Sequence, residues 1–352
     1  MNFCSDNVTG ASPEIIEALA AASRGAQAAY GDDEITERLR GRFCELFEHE
    51  VAVFPVATGT AANSLALASL VPPYGVIYAH GDAHVQVDEC GAPEFFTGGA
   101  KILPMGGAHG KIDVDELAAA VEGGWQGVVH HAQPAAVSVT EASEAGTVYR
   151  PEELGAIAGI CRSHGLALHM DGARFGNAVA ALNCSPADLT WRAGVDVLSF
   201  GATKNGALAA EAVVFFDQAK ANDFAFRRKR GGHLFSKMRF LSAQLEAYLA
   251  SALWLRNARH ANRMAARLAE GLAALPGARL RHPVEANELF VELPEPAIRG
   301  LFADGFKFYR WSGEASTCIR LVTAFDTDLA AVEAFLASAG RHCGRAAGPE
   351  RL

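Results

Sequence analysis

A long alternation of short apolar segments with helical ones constrains the fold of this sequence more than any other feature. The apolar segments, such as Val51–Pro55, Leu166–Met170 and Val195–Phe200, are continuous rather than alternating, which is typical of strands buried on both faces. Helical segments lie between them, and Pro151–His164 opens with proline and two acids, as helices often do. The alternation predicts an α/β fold with a mostly parallel sheet covered by helices on both faces.

The character of the sequence changes near residue 235. Before that point we also predict strands at Gly75–Tyr78, Lys101–Leu103, Gly127–His130, Ala136–Thr140 and Glu211–Phe215. A long helical region, Phe235–Leu275, is followed by a mixture of strands and helices with the pattern of an α+β unit. We therefore expect an N-terminal arm and large domain over residues 1–249, and a smaller C-terminal α+β domain over residues 250–352.

Composition and charge exclude several classes of protein. Of the 352 residues 50% are hydrophobic, but no run approaches the roughly 20 apolar residues that span a bilayer, so we expect no membrane association. The net charge of −9 makes nucleic acid an unsuitable partner. Seven cysteines without CxxC spacing indicate reduced thiols rather than disulfides or a zinc cluster. With no secretory signal at the start of the chain, we expect a cytoplasmic protein.

Polar residues follow several of the predicted strands, where open α/β sheets bind their ligands. Lys204 comes one short turn after the strand Val195–Phe200. A lysine that is partly desolvated there has a lowered pKa and can form Schiff bases with carbonyl compounds. Taken alone, however, Lys204 could equally extend from a loop to the surface.

Two further strand ends complete a recognisable combination. Asp171 directly follows Leu166–Met170, and Gly59 and Thr60 lie between a strand and a helix, where free backbone N–H groups suit a phosphate. Each could be an ordinary cap or turn residue by itself. A phosphate site, a strand-end acid and a strand-end lysine are together what pyridoxal 5′-phosphate (PLP) requires, for its phosphate, its ring nitrogen and its aldehyde.

Five motifs of this sequence occur in the order seen in one known family. They are Asn2–Asn7, Tyr30–Asp33, Pro55–Asn63, His169–Phe175 and Ser199–Gly206. This set resembles that of the low-specificity L-threonine aldolases, in the β-eliminating lyase/threonine aldolase group. The resemblance extends to about residue 323 and implies the aspartate-aminotransferase-like fold (PLP fold type I), with the cofactor PLP.

The resemblance also implies roles for individual residues of the cofactor site. Lys204 would form the Schiff base, Asp171 would pair with the pyridine nitrogen, and Gly59 and Thr60 would hold the phosphate. Arg174 would reach the ring hydroxyl or the substrate carboxylate. Arg228, in the basic run at 227–230, would contact the phosphate of a neighbouring subunit, with a solvent-exposed helix end as the alternative.

Further residues would act on the substrate. His84 would stack on the ring and transfer protons, and Asp88 would lie on the same helical face and position it or merely cap the helix. His130 would lie near the substrate hydroxyl, although the His130-His131 doublet leaves the register open. Arg320, within an otherwise apolar strand, would bind the α-carboxylate, and Ser5 would add a contact. An ion pair with a protein acid is the alternative for Arg320.

The implied activity is cleavage of L-threonine, L-allo-threonine and related β-hydroxy-α-amino acids to glycine and an aldehyde. β-Elimination on a related amino acid is the main alternative. Decarboxylation and transamination stay open, whereas Lys204 and His84 together argue against a non-catalytic protein. We expect a homo-oligomer, by resemblance a tetramer. The segment Val139–Glu144 departs from the closest family pattern, which affects the substrate range rather than the catalytic groups.

Overall fold

The computed structural model describes residues 1–346. Its larger sheet has seven strands in the order β1-β7-β6-β5-β4-β2-β3. These strands are β1 (Ala52–Val56), β2 (Gly75–His80), β3 (Lys101–Met105), β4 (Gln133–Thr140), β5 (Ala167–Gly172), β6 (Val197–Gly201) and β7 (Glu211–Phe215). Strands β2, β5, β6 and β7 are buried throughout, as their continuous apolar sequences predicted.

Thirteen α-helices are found in residues 1–346. The first eight accompany the first six strands: α1 (Pro13–Ala22), α2 (Glu34–Phe47), α3 (Gly59–Leu70), α4 (His84–Val87), α5 (Ala92–Thr97), α6 (Val114–Glu122), α7 (Pro151–His164) and α8 (Phe175–Leu182). The other five are α9 (Phe224–Arg230), α10 (Arg239–Leu249), α11 (Leu253–Ala273), α12 (Glu295–Ala303) and α13 (Leu329–Ala346). No helix in the described part is long and apolar enough to cross a membrane.

The pairing of the strands brings several chain segments to one edge of the large sheet. β2 to β6 pair in parallel, while β7 runs antiparallel to both β6 and β1, so β1 points the same way as β6. The register pairs Thr140 with Asp171 and Asp171 with Ser199. The segments that follow β1, β4, β5 and β6 therefore converge at the carboxyl edge, together with Glu211 at the start of β7.

The smaller sheet is antiparallel, with the order β10-β11-β9-β8. Its strands are β8 (Arg279–Leu280), β9 (Glu288–Glu292), β10 (Tyr309–Arg310) and β11 (Cys318–Val322). It has its own apolar cluster, formed with α11, α12 and α13. The beginning of the chain joins this cluster, because Asn2 bridges to Lys307 and Phe3 is buried against Phe335.

Two features of the sequence prediction are wrong. The segment Gly127–His130 is a turn rather than a strand: Val129 is 92% exposed and has no core face to cover, while β4 occupies the predicted position in the sheet. The long helical region predicted over residues 235–275 is two helices, because Ser251 and Ala252 adopt left-handed conformations with φ values of 50° and 51°. The two adjacent valines of Gly127–His130 favour a strand, which explains the first prediction. The alanine-rich composition of residues 235–275 favours a helix, which explains the second.

Candidate active site

A cavity of about 350 Å³ lies at the carboxyl edge of the large sheet. Its wall includes five of the residues that the sequence predicted for the cofactor site, namely Gly59, Thr60, His84, Asp171 and Lys204. They come from four separate segments of the chain, so the topology of the sheet brings them together. The volume is in the usual range for a small-molecule site.

The first turn of α3 forms one side of this cavity. Thr58 caps the helix, since its Oγ1 accepts a hydrogen bond from the N–H of Ala61 at 3.2 Å. The remaining N–H groups of the first turn have no partner within the helix, and the helix dipole adds a positive potential there. A Cβ atom on Gly59 would meet no atom within 4 Å, so this backbone is open to a ligand. The site is suited to a phosphate group.

Lys204 lies in a 3-10 turn, Thr203–Asn205, just after β6. Its amine makes no hydrogen bond or ion pair with any residue between 1 and 346, although it faces the cavity. The turn itself is firmly held, because the amide of Asn205 donates to the Tyr248 hydroxyl at 2.6 Å and to the carbonyl of Trp254 at 2.8 Å. A rigid turn thus presents an unpartnered amine to the cavity.

A chain of hydrogen bonds links Asp171 to His84. The Asn63 amide donates to Asp171 Oδ2 and to Glu89 Oε1, both at 2.8 Å. Glu89 Oε1 lies 2.9 Å from His84 Nδ1. The hydrogen bond that His84 donates to Glu89 raises the pKa of His84. Burial raises the pKa of Glu89, and the hydrogen bond to His84 opposes that shift. His84 is thereby fixed in orientation and retains a proton to higher pH.

The structure corrects two of the predicted substrate residues. Asp88 is exposed at the end of α4, and Glu89, one residue further, contacts His84 instead. Ser5 caps the 3-10 turn Asp6–Val8 and does not line the cavity; from this arm Asn7 does. Both errors are shifts of one or two residues in short irregular segments, where helical spacing does not apply.

The two predicted carboxylate-binding arginines are joined by one buried network. Arg174 pairs with Asp6 at 2.8 Å and with Glu288 at 3.1 Å, and Arg320 pairs with the same Glu288 at 3.0 Å. Burial would raise the pKa of Asp6, but the Arg174 charge outweighs it and the pKa is lowered. Arg320 thus forms the ion pair that was the alternative to binding substrate. The buried Nε of Arg320 nevertheless has no acceptor among the described residues.

Two further predicted residues lie outside this cavity in their own chain. His130 is exposed on the turn that replaces the predicted strand. Arg228 on α9 packs over Phe54, with its guanidinium 5.3 Å from the ring centre, and its Nη1 donates to the carbonyl of Pro55 at 3.4 Å. Burial lowers the pKa of Arg228 to about 10. Neither residue reaches Lys204 within the single chain.

Sequence reasoning missed several acids and amides of the site. The cavity is also lined by Glu144, Glu211 and Asn63. Glu89 pairs with His84, and Asp6 and Glu288 belong to the arginine network. Burial raises the pKa of Glu211 to about 7, and its carboxylate accepts a hydrogen bond from the N–H of Ala202 at 2.9 Å. An acid at the first position of an otherwise apolar strand, as at Glu211, is the signal in the sequence that points to this residue.

Comparison with known proteins identifies the family to which this site belongs. Residues 2–295 match the beta-eliminating lyase family. The chain belongs to the beta-eliminating lyase family. Within this family it is 49% identical over 330 residues to the low specificity L-threonine aldolase of Pseudomonas aeruginosa, covering 93% of each chain. Identity to a protein of the same description from a Pseudomonas species is 46% over 333 residues, or 94% of each chain.

Solved structures agree with this family assignment. A Leishmania major threonine aldolase superposes with a TM-score of 0.91 at 28% identity, covering 97% of this chain and 99% of the other. An aspartate aminotransferase from Rhodobacter sphaeroides, only 18% identical, shares the fold with a TM-score of 0.70 over 98% of this chain and 92% of its own. The resemblance seen in the motifs and the predicted PLP fold type I are confirmed.

The residues of the cavity fit PLP, the cofactor of this family. Its phosphate suits the open first turn of α3, and its aldehyde suits the unpartnered amine of Lys204. Its ring nitrogen suits Asp171, a carboxylate held by Asn63 and by the N–H of Ala173 at 3.0 Å. Such a carboxylate would keep that nitrogen protonated, as the electron-withdrawing chemistry of the ring requires.

Proposed function

We propose that this protein is a PLP-dependent aldolase that cleaves L-threonine and related β-hydroxy-α-amino acids to glycine and an aldehyde. The observation that carries the proposal is the unpartnered Lys204 amine, which shares one cavity with Asp171 and the open start of α3. The low specificity L-threonine aldolases that cover nearly the whole chain supply the reaction. The enzyme is accordingly a carbon–carbon lyase.

In the proposed mechanism the residues of this chain bind and orient two ligands. Gly59 and Thr60 would hold the phosphate of PLP, Asp171 would pair with its ring nitrogen, and Lys204 would bond its aldehyde. When bound, PLP supplies an electron sink for the charge that develops on the substrate Cα. His84, held through Nδ1 by Glu89, would cover the ring and keep water away from that carbon.

The substrate carboxylate is proposed to bind at the arginine network. Arg320 has an Nε donor without an acceptor among the described residues, and Arg174 is held rigidly by Asp6 and Glu288. A carboxylate bound in the planar fork of Arg320 would use this free donor. A fixed carboxylate would set the orientation of the other bonds at Cα. The Cα–Cβ bond can break when it is perpendicular to the plane of the cofactor ring, so this orientation selects the bond that reacts.

Two measurements test the function. An aldehyde-release assay on threonine, allo-threonine and phenylserine isomers should detect an aldehyde and glycine from at least one of them. The Lys204→Ala variant should lose both the visible absorption of the lysine-linked cofactor and this activity, because no other amine faces the cavity among residues 1–346. A 2-oxo acid that keeps every carbon of the substrate, released with ammonia in place of glycine and aldehyde, would identify β-elimination, the reaction for which the family is named.

We further propose that the protein works as a homo-oligomer, a tetramer built as a dimer of dimers. Residues Phe95 and Phe226, each 78% exposed, border a second cavity with Arg227 and Arg230. Such exposed aromatic surface favours association with another subunit. In this assembly Arg228 would contact the phosphate bound by a neighbouring subunit and His130 would approach its substrate, roles that their own chain does not provide.

The proposed division of labour follows the two sheets. Residues 1–249 would bind the cofactor and residues 250–352, of which the last six lie outside the described part, would grip the carboxylate through Arg320. A cytoplasmic location is also proposed, since all seven cysteines are free thiols and such proteins are usual in a reducing compartment.

A further inference from the structure

Glu144 differs from the other carboxyl groups that line the active-site cavity. Asp171 and Glu211 both accept hydrogen bonds from the protein. The Glu144 carboxylate accepts none from any residue that the structure describes, and its side chain is partly accessible from the cavity. An acid with unused acceptor capacity at the wall of a substrate cavity is available to a ligand.

The turn that carries Glu144 is rigid. The hydroxyls of Ser143 and Thr147 lie 2.8 Å apart, and both donate to the carbonyl of His109, at 3.1 and 2.7 Å. Ser143 and Thr147 are also joined through the backbone at 2.9 Å. These bonds fix the backbone on both sides of Glu144. A general acid or base must be held in position in this way.

The groups around Glu144 tune its proton affinity. Burial raises the pKa of its carboxyl, and the charge of Lys204 opposes this shift. The charged groups that act on it come from several elements around the cavity: Lys204 after β6, Asp171 in β5, Arg174 after β5, Glu288 on β9 and His84 on α4. A carboxylate with a raised pKa is a stronger base than an ordinary one.

We infer that Glu144 is a catalytic residue that accepts the proton of the substrate β-hydroxyl as the Cα–Cβ bond breaks, an inference that rests on the proposed function. The O–H bond breaks and its electron pair forms the carbonyl of the leaving aldehyde. The pair of the Cα–Cβ bond passes to Cα, which then gains one proton to give glycine. One proton leaves oxygen and one reaches carbon, so the reaction needs no further reactant.

His84, the other candidate base, is less suited to this step. Its Nδ1 is bonded to Glu89, and that bond raises the pKa of the ring. A histidine with a raised pKa is charged over more of the neutral range, and an imidazolium cannot accept a proton. The Glu144 carboxylate, by contrast, has no hydrogen-bond partner among the described residues and faces the cavity.

The test separates cleavage from events that do not involve the β-hydroxyl. In Glu144→Gln the side chain keeps its shape but loses its basicity. Aldehyde release from L-threonine should fall by about 10²- to 10⁴-fold. The exchange of an α-proton of glycine for deuterium, followed by NMR in D2O, uses the same cofactor and carboxylate site but involves no hydroxyl. The rate of this exchange in Glu144→Gln should stay within about threefold of the wild-type rate.

Three controls decide how a loss is interpreted. Glu122→Gln changes an exposed acid at the end of α6 and should leave both rates unchanged. Visible absorption at the wild-type level verifies that Glu144→Gln is folded and loaded with cofactor. Glu144→Asp, which keeps a carboxylate, should cleave faster than Glu144→Gln, because basicity rather than shape is required.

Several results would overturn the inference. Cleavage by Glu144→Gln within about tenfold of wild type would remove Glu144 as the base, and so would an equal loss of cleavage and glycine exchange. Equal cleavage by the Gln and Asp variants would show that the charge is irrelevant. A wild-type protein that exchanges glycine but releases no aldehyde would overturn the proposed function itself, and this role with it.

Discussion

Among the neighbouring side chains, Glu89 has the largest effect on the protonation of His84. The helix α4 ends at Val87, so the four-residue spacing that pointed to Asp88 has no helix to support it. The chain turns at its end, Asp88 faces solvent, and Glu89 points inwards to His84. Sequence periodicity predicts partners only within regular elements, which explains why Lys204 and Asp171 at strand ends were found and Glu89 was not.

The Glu89→Gln variant tests this pairing. Removing the charged acceptor should lower the pKa of His84 from its raised position towards the ordinary value of about 6.5, as measured by NMR titration of the ring. An interaction that raises the pKa of a histidine in the folded state stabilises the fold fully at pH values below the pKa of the unfolded state. This stabilisation is lost as the pH rises through the pKa of the folded state. The variant should therefore lose more stability at pH 6 than at pH 9. An unchanged His84 titration would contradict the pairing.

At the scale of elements, order and type were predictable but bends and turns were not. Continuous apolar segments identified β5, β6 and β7, because burial on both faces leaves an unambiguous pattern. The segment Gly127–His130 has the same local composition but no partner strand, and only the folded chain reveals that. The turn after β4, which carries Glu144, likewise depends on a contact far along the chain, between Gly146 and Glu288.

A pair of glycine substitutions measures the value of that contact. Gly146 and Gly127 both have left-handed backbones, with φ values of 77° and 79°. A Cβ on Gly146 would collide with the backbone oxygen of Glu288, whereas a Cβ on Gly127 would meet nothing within 4 Å. Gly127→Ala should cost about 1 kcal/mol of unfolding free energy, and Gly146→Ala at least about 1 kcal/mol more. Urea unfolding compares them, and equal costs would contradict the close approach.

On the scale of the whole molecule, one buried charge network joins three parts of the chain. Asp6 comes from the N-terminal arm, Arg174 from the large sheet, and Glu288 and Arg320 from the small sheet. The amide of Asn287 also donates to Asp6 at 3.1 Å. The sequence identified both arginines but neither acid, because a buried partner 168 residues away leaves no local pattern.

The Asp6→Asn variant should destabilise the molecule in a pH-dependent way. Breaking a buried ion pair costs about 3 kcal/mol or more. The pKa of Asp6 is lower in the folded state than its unfolded value of about 3.9. The charged Asp6 therefore stabilises the fold at pH values above about 3.9, and this stabilisation is lost as the pH falls through the pKa of the folded state. The difference in urea midpoint between wild type and variant should be constant near neutrality and shrink below about pH 4. Asp115→Asn, an exposed control, should show no such dependence.

The arm also has a consequence for the order in which the chain can fold. Phe3 donates its N–H to the carbonyl of Lys307 and accepts a hydrogen bond from the N–H of Val322, at 2.8 and 2.9 Å. Residues translated first must therefore wait for some of the last to emerge from the ribosome. Contacts between such distant segments form slowly. Asn7, which lines the cavity, lies on this arm, so the pocket of a nascent chain is complete only after these late segments have emerged.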